Sequence, residues 1–452
     1  MNEITGILNN NDGKASKHKF DIRIIWIMLA SVIYGLHTMN VDLHFNTVAS
    51  IILLFVLITL PPDKDIYVYA SLIPFYTLIP QDSPMRLAFF FLVSIVKIFL
   101  KNGSRIERKY ILYFLVWFMC EVILDLFYAA SEIDFTIIVL MLYFAVYMAK
   151  CKSADAETGK NITVIMIFSF AASIVFTALI SDIPLVDYLQ STNEEIRFGE
   201  GARILGGAMD LPIYCAVSLS LVLSIFVSNG HSSIVNNIIY ILLICTSIVF
   251  GALTVSRSFI FAIAIIFLWT YFSLITDSQY RKRIIPITFL VIAASVVLFW
   301  NSREAILNII TKYAQRSFFA TSRTDVYSDC FDYLLTHPLN MLFGTGAFGY
   351  HKYGIEHDLA FKMFAHNLIL DAIMSWGIVG TTAFGAMIFS YHNEIRKSYG
   401  KRNMIHYLPL VAWFGIMMTG GTFNYVEPYF YLLILIKMTF TFNTSKENQQ
   451  NG

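Results

Sequence analysis

The residues most suited to chemistry lie near the C-terminal third, where His366 and Asn367 are followed, nine residues on, by Gly377-Ile378-Val379-Gly380. Histidine exchanges a proton near neutral pH, so His366 is a candidate general base. On a continuous helix turning 100° per residue, His366, Ile373, Gly377 and Gly380 would share one stripe. The glycines would then let a neighbouring helix approach closely. A lone histidine at a helix end is more often a polar cap, and both readings stand on spacing alone.

Arginines form the second group. Arg197, Arg203, Arg257, Arg316 and Arg323 fall in or beside segments otherwise poor in basic residues. A guanidinium is a planar fork of donors matched to phosphate oxygens, and several converging arginines suit a diphosphate. Arg257 stands among hydroxyls in Thr254-Val255-Ser256-Arg257-Ser258. Arg86 and Arg303 read instead as cations that snorkel to an interface or pair with a nearby acid. Gly344-Thr345-Gly346-Ala347-Phe348-Gly349 matches GxGxxG, yet it follows no expected strand and opens no βαβ unit. It is read as a turn that brings backbone close to a substrate or to the next helix.

The elements that must position these residues are membrane helices. The chain has 452 residues, of which 57% are hydrophobic and only 14% charged, against about a quarter charged in soluble domains. A net charge of +1 gives no reason to expect a nucleic-acid partner. Apolar stretches near 23–40, 44–61, 66–80, 85–100, 110–129, 134–150 and 161–181 are candidate spans, as are those near 208–228, 234–254, 258–277, 284–301, 366–390, 405–420 and 424–442. The expected fold is therefore all-α, a polytopic transmembrane bundle of about fourteen spans.

Lys and Arg collect in the N-terminal tail (1–22, with Lys14, Lys17 and Lys19), at 101–109, at 150–160, at Arg281-Lys282-Arg283 and at 396–402. With fourteen spans all of these share one side with both termini, and the positive-inside rule makes that side cytoplasmic. The N-terminus then reads as a retained signal-anchor, and residues 443–452 as a cytoplasmic tail. Spans 1–11 occupy 23–301, with an outer loop at 182–207. A long outer loop covers 302–365, and the last three spans occupy 366–442.

Within the long loop, Ser322 to Thr336 places Val326, Cys330, Phe331 and Leu334 on one helical face and Asp325, Asp329 and Asp332 mainly on the other. This is the pattern of an amphipathic helix at the membrane surface. Lys97 is expected to snorkel, whereas Glu121 and Asp125, inside the fifth span, should face the bundle interior. Cys120, Cys151, Cys215, Cys245 and Cys330 show neither CxxC nor metal-ligand spacing.

Residues Ala365 to Gly380 resemble the signature of the O-antigen ligase and polymerase superfamily: His, a small polar residue, nine residues, Gly, two residues, Gly. Ser322-Arg323-Thr324, His337-Pro338, Thr254-Val255-Ser256-Arg257 and Arg203-Ile204-Leu205-Gly206-Gly207 resemble further segments, so the likeness extends over about 195–385. It implies a glycosyltransferase acting on undecaprenyl-diphosphate-linked glycans at the periplasmic face of the bacterial inner membrane. Arg203 and Arg257 would bind the donor diphosphate with help from Arg323, while His366 would activate the acceptor hydroxyl. Arg197, Arg316 and Asn367 are further candidates. No metal or other cofactor is implied, and the partners are the lipid-linked glycan, membrane lipid and a chain-length regulator.

An O-antigen polymerase is favoured over a ligase acting on lipid A-core, because of the span count and the lack of a strongly basic outer loop. A polysaccharide flippase is the rival from another class. Against it, no internal repeat is found and the candidate residues gather at one face.

Overall fold

Helices start where the sequence supplies a cap and are held where buried polar groups find partners. The computed structural model describes residues 21–78, 85–128, 135–193, 196–199, 207–228, 234–276, 303–315, 321–421, 423 and 425–441. Asp21 caps α1 (Ile22–Met39), accepting from Arg23 N at 3.1 Å, and the Arg23 guanidinium closes on the same carboxylate at 2.7 Å. Asp155 caps α8 (Ala156–Ile180) through Thr158 N at 2.7 Å. Such caps satisfy amides that a helix start leaves without an internal partner.

Between them run α2 (Phe45–Thr59), α3 (Ile66–Leu72), α4 (Met85–Asn102), α5 (Arg108–Phe118), α6 (Leu124–Tyr128) and α7 (Phe135–Lys150). A single π turn, Met119–Ile123, joins α5 to α6. After a short α9 (Leu185–Gln190) come α10 (Gly207–Ser228), α11 (Ile234–Leu253) and α12 (Arg257–Thr276). The next described segment carries α13 (Arg303–Gln315), α14 (Thr321–Thr336), α15 (Pro338–Phe343) and α16 (Ala347–Glu356). The chain closes with α17 (Leu368–Tyr399), α18 (Leu408–Met417) and α19 (Glu427–Thr441).

The fold is an all-α polytopic bundle, with no strand among the described residues. Seven helical stretches there are long and apolar enough to cross a bilayer, the longest being Leu368–Tyr399, with shorter apolar helices beside them. All but one of the expected spans fall on helix. The exception, near 284–301, lies outside the described residues.

Aromatic rings fill the centre. Trp117 packs on Phe384 at 4.7 Å and on Trp376 at 5.5 Å, and Tyr69 on Phe430 at 4.9 Å. One end of the bundle gathers the basic loops. Lys109 and Lys152 pair with Glu394, Lys152 and Lys109 also meet Glu107, and Ala154 N donates to the Tyr399 hydroxyl at 2.9 Å. Loops 101–109, 150–160 and 396–402 therefore lie together, at the opposite end of α17 from His366.

Two expectations need correction here. Lys97 does not snorkel: it is 8% exposed and pairs with Asp65, which is fully buried, while also donating to Leu57 O. An opposite charge and a free carbonyl within reach outweigh the distant interface. In α14 the buried face is Val326, Cys330, Tyr333 and Leu334, whereas Phe331 is 57% exposed. One residue past Cys330 is a 100° turn away, which carries Phe331 out of that face. The buried side of α14 packs with Tyr350, Phe361, Ala365, Leu370 and Met374 into a second, smaller hydrophobic cluster.

Candidate functional site

Glu121 and Asp125 do face the interior, and their partner is the glycine-rich turn. Glu121 Oε2 accepts from Ala347 N at 3.1 Å and from Trp376 Nε1 at 2.7 Å. Asp125 Oδ1 accepts from Phe348 N and Gly349 N, both at 3.1 Å. The GxGxxG segment thus opens a helix whose first amides are satisfied by carboxylates of a membrane helix, not by a nucleotide phosphate. At Gly346 (φ 78°) a Cβ would strike the Asp125 carboxylate, so the close approach requires glycine.

The same turn docks on α17. Thr345 N and Gly346 N donate to Ser375 O at 3.1 and 2.8 Å. Opposite them Gly377 leaves helical geometry at φ 63°, ψ −178°, and a Cβ there would meet Gly344 N and the Leu342 carbonyl. The stripe expected to join His366 to Gly377 and Gly380 is therefore overturned. Two helical pieces meet at Gly377, and His366 lies before the helix at φ 51°. Gly377 makes room for a turn of backbone, and the 100° count does not run through it.

His366 is held from both sides. Ala365 N donates to Asp371 Oδ1 at 3.4 Å, and the Tyr350 hydroxyl donates to the same fully buried carboxylate. Asn367 caps α17, accepting from Ile369 N at 3.2 Å and Leu370 N at 3.1 Å. Its amide also donates to Met418 O at 3.0 Å. Phe364 and His366 both have positive φ (72° and 51°), a conformation that costs roughly 1–3 kcal/mol for a side-chain-bearing residue.

Arg257 opens α12 under similar constraint. Val255, two residues earlier, is a buried β-branched residue at φ 50°, a rare combination. Tyr313 donates to Ala252 O at 3.3 Å and Ser256 O at 3.4 Å. Ser258 donates to Thr419 O at 3.4 Å. The segments bearing His366 and Arg257 are thus tied to adjacent carbonyls, those of Met418 and Thr419, in the turn that follows α18.

Arg197 joins the same end. Its neighbour Phe198 donates to Leu253 O at 2.9 Å, and Ile196 O accepts from Lys312 at 2.8 Å. Lys312 also donates to Tyr188 O at 2.9 Å, and its burial holds its pKa below the usual lysine range. The structure therefore brings the His366, Asn367, Arg257 and Arg197 segments to one end of the bundle. Arg203 and Arg316 lie outside the described residues, and of Arg323 only its place in the first turn of α14 is described.

Beside His366 opens a cavity of about 190 Å³, whose lining includes Asp210, Tyr214, Phe364, Tyr425, Glu427 and Tyr431. Asp210, Glu427 and Asp371 were not singled out from the sequence. The available signal was the one that marked Glu121 and Asp125, an acid within or at the end of an apolar helix. Among the described residues no cluster of three or more His, Cys, Asp or Glu is arranged to hold a metal ion.

Residues 240–385 match the family model described as O-antigen ligase. No curated protein and no solved structure matches the chain. The matched stretch contains Arg257, Arg323, His366, Asn367 and both glycines of the signature, but not Arg203. This match, over residues 240–385 of 452, supports a place for the chain in the O-antigen ligase and polymerase superfamily, whose members are membrane enzymes of glycosyl transfer.

Proposed function

We propose that the chain polymerises polyprenyl-diphosphate-linked oligosaccharide repeat units at the periplasmic face of the bacterial inner membrane, with both termini in the cytoplasm. The observation that carries this reading is the convergence of His366 and Arg257 on the Met418-Thr419 turn, at the end of the bundle away from the basic loops. His366 takes the proton of an acceptor hydroxyl. That oxygen attacks the anomeric carbon of the donor, and the bond from this carbon to the diphosphate oxygen breaks. The electron pair leaves with the diphosphate, whose growing charge meets the guanidinium groups of Arg257 and Arg197, with Arg203 and Arg323 assigned by family likeness. Arg316 is a further candidate on the same outer segment. Asn367 acts as a positioning residue through its cap and its bond to Met418 O. A lipid-linked donor carries its own leaving group, so the scheme calls for no nucleotide. A chain-length regulator is the protein partner this activity would use.

His366→Ala and Arg257→Ala should abolish long glycan chains at normal protein levels, and Arg257→Lys should also be impaired because a point charge replaces the fork. Normal ladders in both alanine variants would refute the assignment. The description of the matched family favours a second reading, a ligase that moves finished glycan onto lipid A-core. A gel of surface polysaccharide from a deletion strain separates them. Core bearing one repeat unit marks a polymerase; bare core with lipid-linked polymer retained marks a ligase. The match to a family of glycosyl-transfer enzymes supports the glycosyl-transfer reading over a flippase.

A further inference from the structure

Three of the residues that line the cavity beside His366 carry a buried polar atom without a hydrogen-bond partner: Glu427 Oε2 and the hydroxyls of Tyr214 and Tyr431. Glu427 is only 8% exposed, and Asp210 shares the cavity with it. Buried polar groups are nearly always paired, so three orphans among the residues around one cavity mark it as a place short of polar partners. Their chemistry selects the class of ligand. Two carboxylates accept hydrogen bonds, two phenols donate or accept, and tyrosine and phenylalanine rings offer apolar faces. A polyhydroxylated neutral ring has the matching set: hydroxyl donors around its edge and C–H faces above and below.

A phosphate does not match. No lysine or arginine lines the cavity among the described residues, and two acids there repel an anion. The described cations at this end, Arg257, Arg197 and Lys312, are not among the residues that line it. We infer that this cavity is the acceptor subsite, taking a single sugar ring whose hydroxyls donate to Asp210 and Glu427 and so hold one hydroxyl against His366. The inference rests on the glycosyl-transfer reading and deepens it: the acceptor sugar takes the acidic cavity, and the donor diphosphate takes the arginines.

The test uses the full chain in lipid nanodiscs. The probe is the oligosaccharide released by mild acid from the lipid-linked repeat unit of the same strain. Saturation-transfer NMR should show contact between protein and sugar protons in the wild type and in Arg257→Ala, which keeps the sugar but loses turnover. Asp210→Asn/Glu427→Gln should lose that transfer and raise the acceptor KM by about tenfold or more, with the donor KM unchanged. Tyr431→Phe removes only an orphaned hydroxyl, so it should fold at least as well as wild type while still weakening the acceptor. Wild-type acceptor KM and saturation transfer in both variants would overturn the subsite and leave the glycosyl-transfer reading standing. A wild type that neither binds nor extends the sugar would overturn both.

Discussion

Replacing Gly377 and Gly385 by alanine, one at a time, should move stability in opposite directions although both glycines lie in α17. At Gly377 the backbone is at φ 63°, ψ −178°, a region that costs roughly 1–3 kcal/mol for any residue with a Cβ. The new methyl would also stand 2.5 Å from the Leu342 carbonyl carbon and oxygen, and it would press on Gly344 N. Relief requires the turn to lift away from Ser375 O. That sacrifices the Thr345 and Gly346 bonds of 3.1 and 2.8 Å, at about 1 kcal/mol each. The sum is a loss of roughly 3–5 kcal/mol. At Gly385 a Cβ meets nothing within 4 Å and the backbone is helical. Alanine there should gain roughly 0.5–1 kcal/mol. The assay is the thermal midpoint of each detergent-solubilised variant, followed by loss of the monodisperse peak in size exclusion. Gly377→Ala should fall by several degrees and Gly385→Ala should hold or rise. Equal midpoints, or a drop confined to Gly385→Ala, would refute the helix break and the docked turn.

Asp125→Ala strips Phe348 N and Gly349 N of a buried anionic acceptor. It should cost about 2–5 kcal/mol and raise hydrogen exchange across 346–356, while Asp125→Asn keeps an acceptor and should cost less. Lys97→Met leaves the Asp65 carboxylate buried without its cation and should cost about 3–5 kcal/mol of stability, read as a sharp fall in the thermal midpoint. Lys97→Met/Asp65→Leu should recover most of it, as measured by the same melt. In a Cys245→Ser background, Asp187→Cys should react with a membrane-impermeant maleimide on whole spheroplasts and Lys397→Cys should not, which checks the orientation. Native Cys330 should stay silent there, since burial and the Asp371 and Asp329 charges push its thiol up to about 12.

The helices were legible because each apolar stretch carries its own signal, and so was the gathering of loops 101–109, 150–160 and 396–402 at one end, because charge sorts by side whatever the tertiary contacts. The face of α14 was legible at Val326, Cys330 and Leu334, but Tyr333 is buried there in place of Phe331, which lies exposed. The rejection of GxGxxG as a nucleotide site was sound, but its partners, Glu121 and Asp125, lie more than two hundred residues away in the chain. The break at Gly377 was hidden for the same reason. A glycine in an apolar helix reads as a packing contact, and only the turn docked upon it reveals the kink. Asp371 and Glu427 escaped because an acid in the first turn of a helix also reads as a favourable dipole partner. Their roles come from what the chain folds around them: Tyr350 and Ala365 for one, and an aromatic cavity for the other.

The most direct test of the central claim is a reconstitution. Purified protein in liposomes receives polyprenyl-diphosphate-linked repeat units, and the lipid-linked products are resolved by length while released polyprenyl diphosphate is counted. Wild type should yield a ladder with one diphosphate released per bond formed. His366→Ala and Arg257→Ala, folded by the same melt as wild type, should yield neither. Ladders at the wild-type rate from either variant would contradict the account.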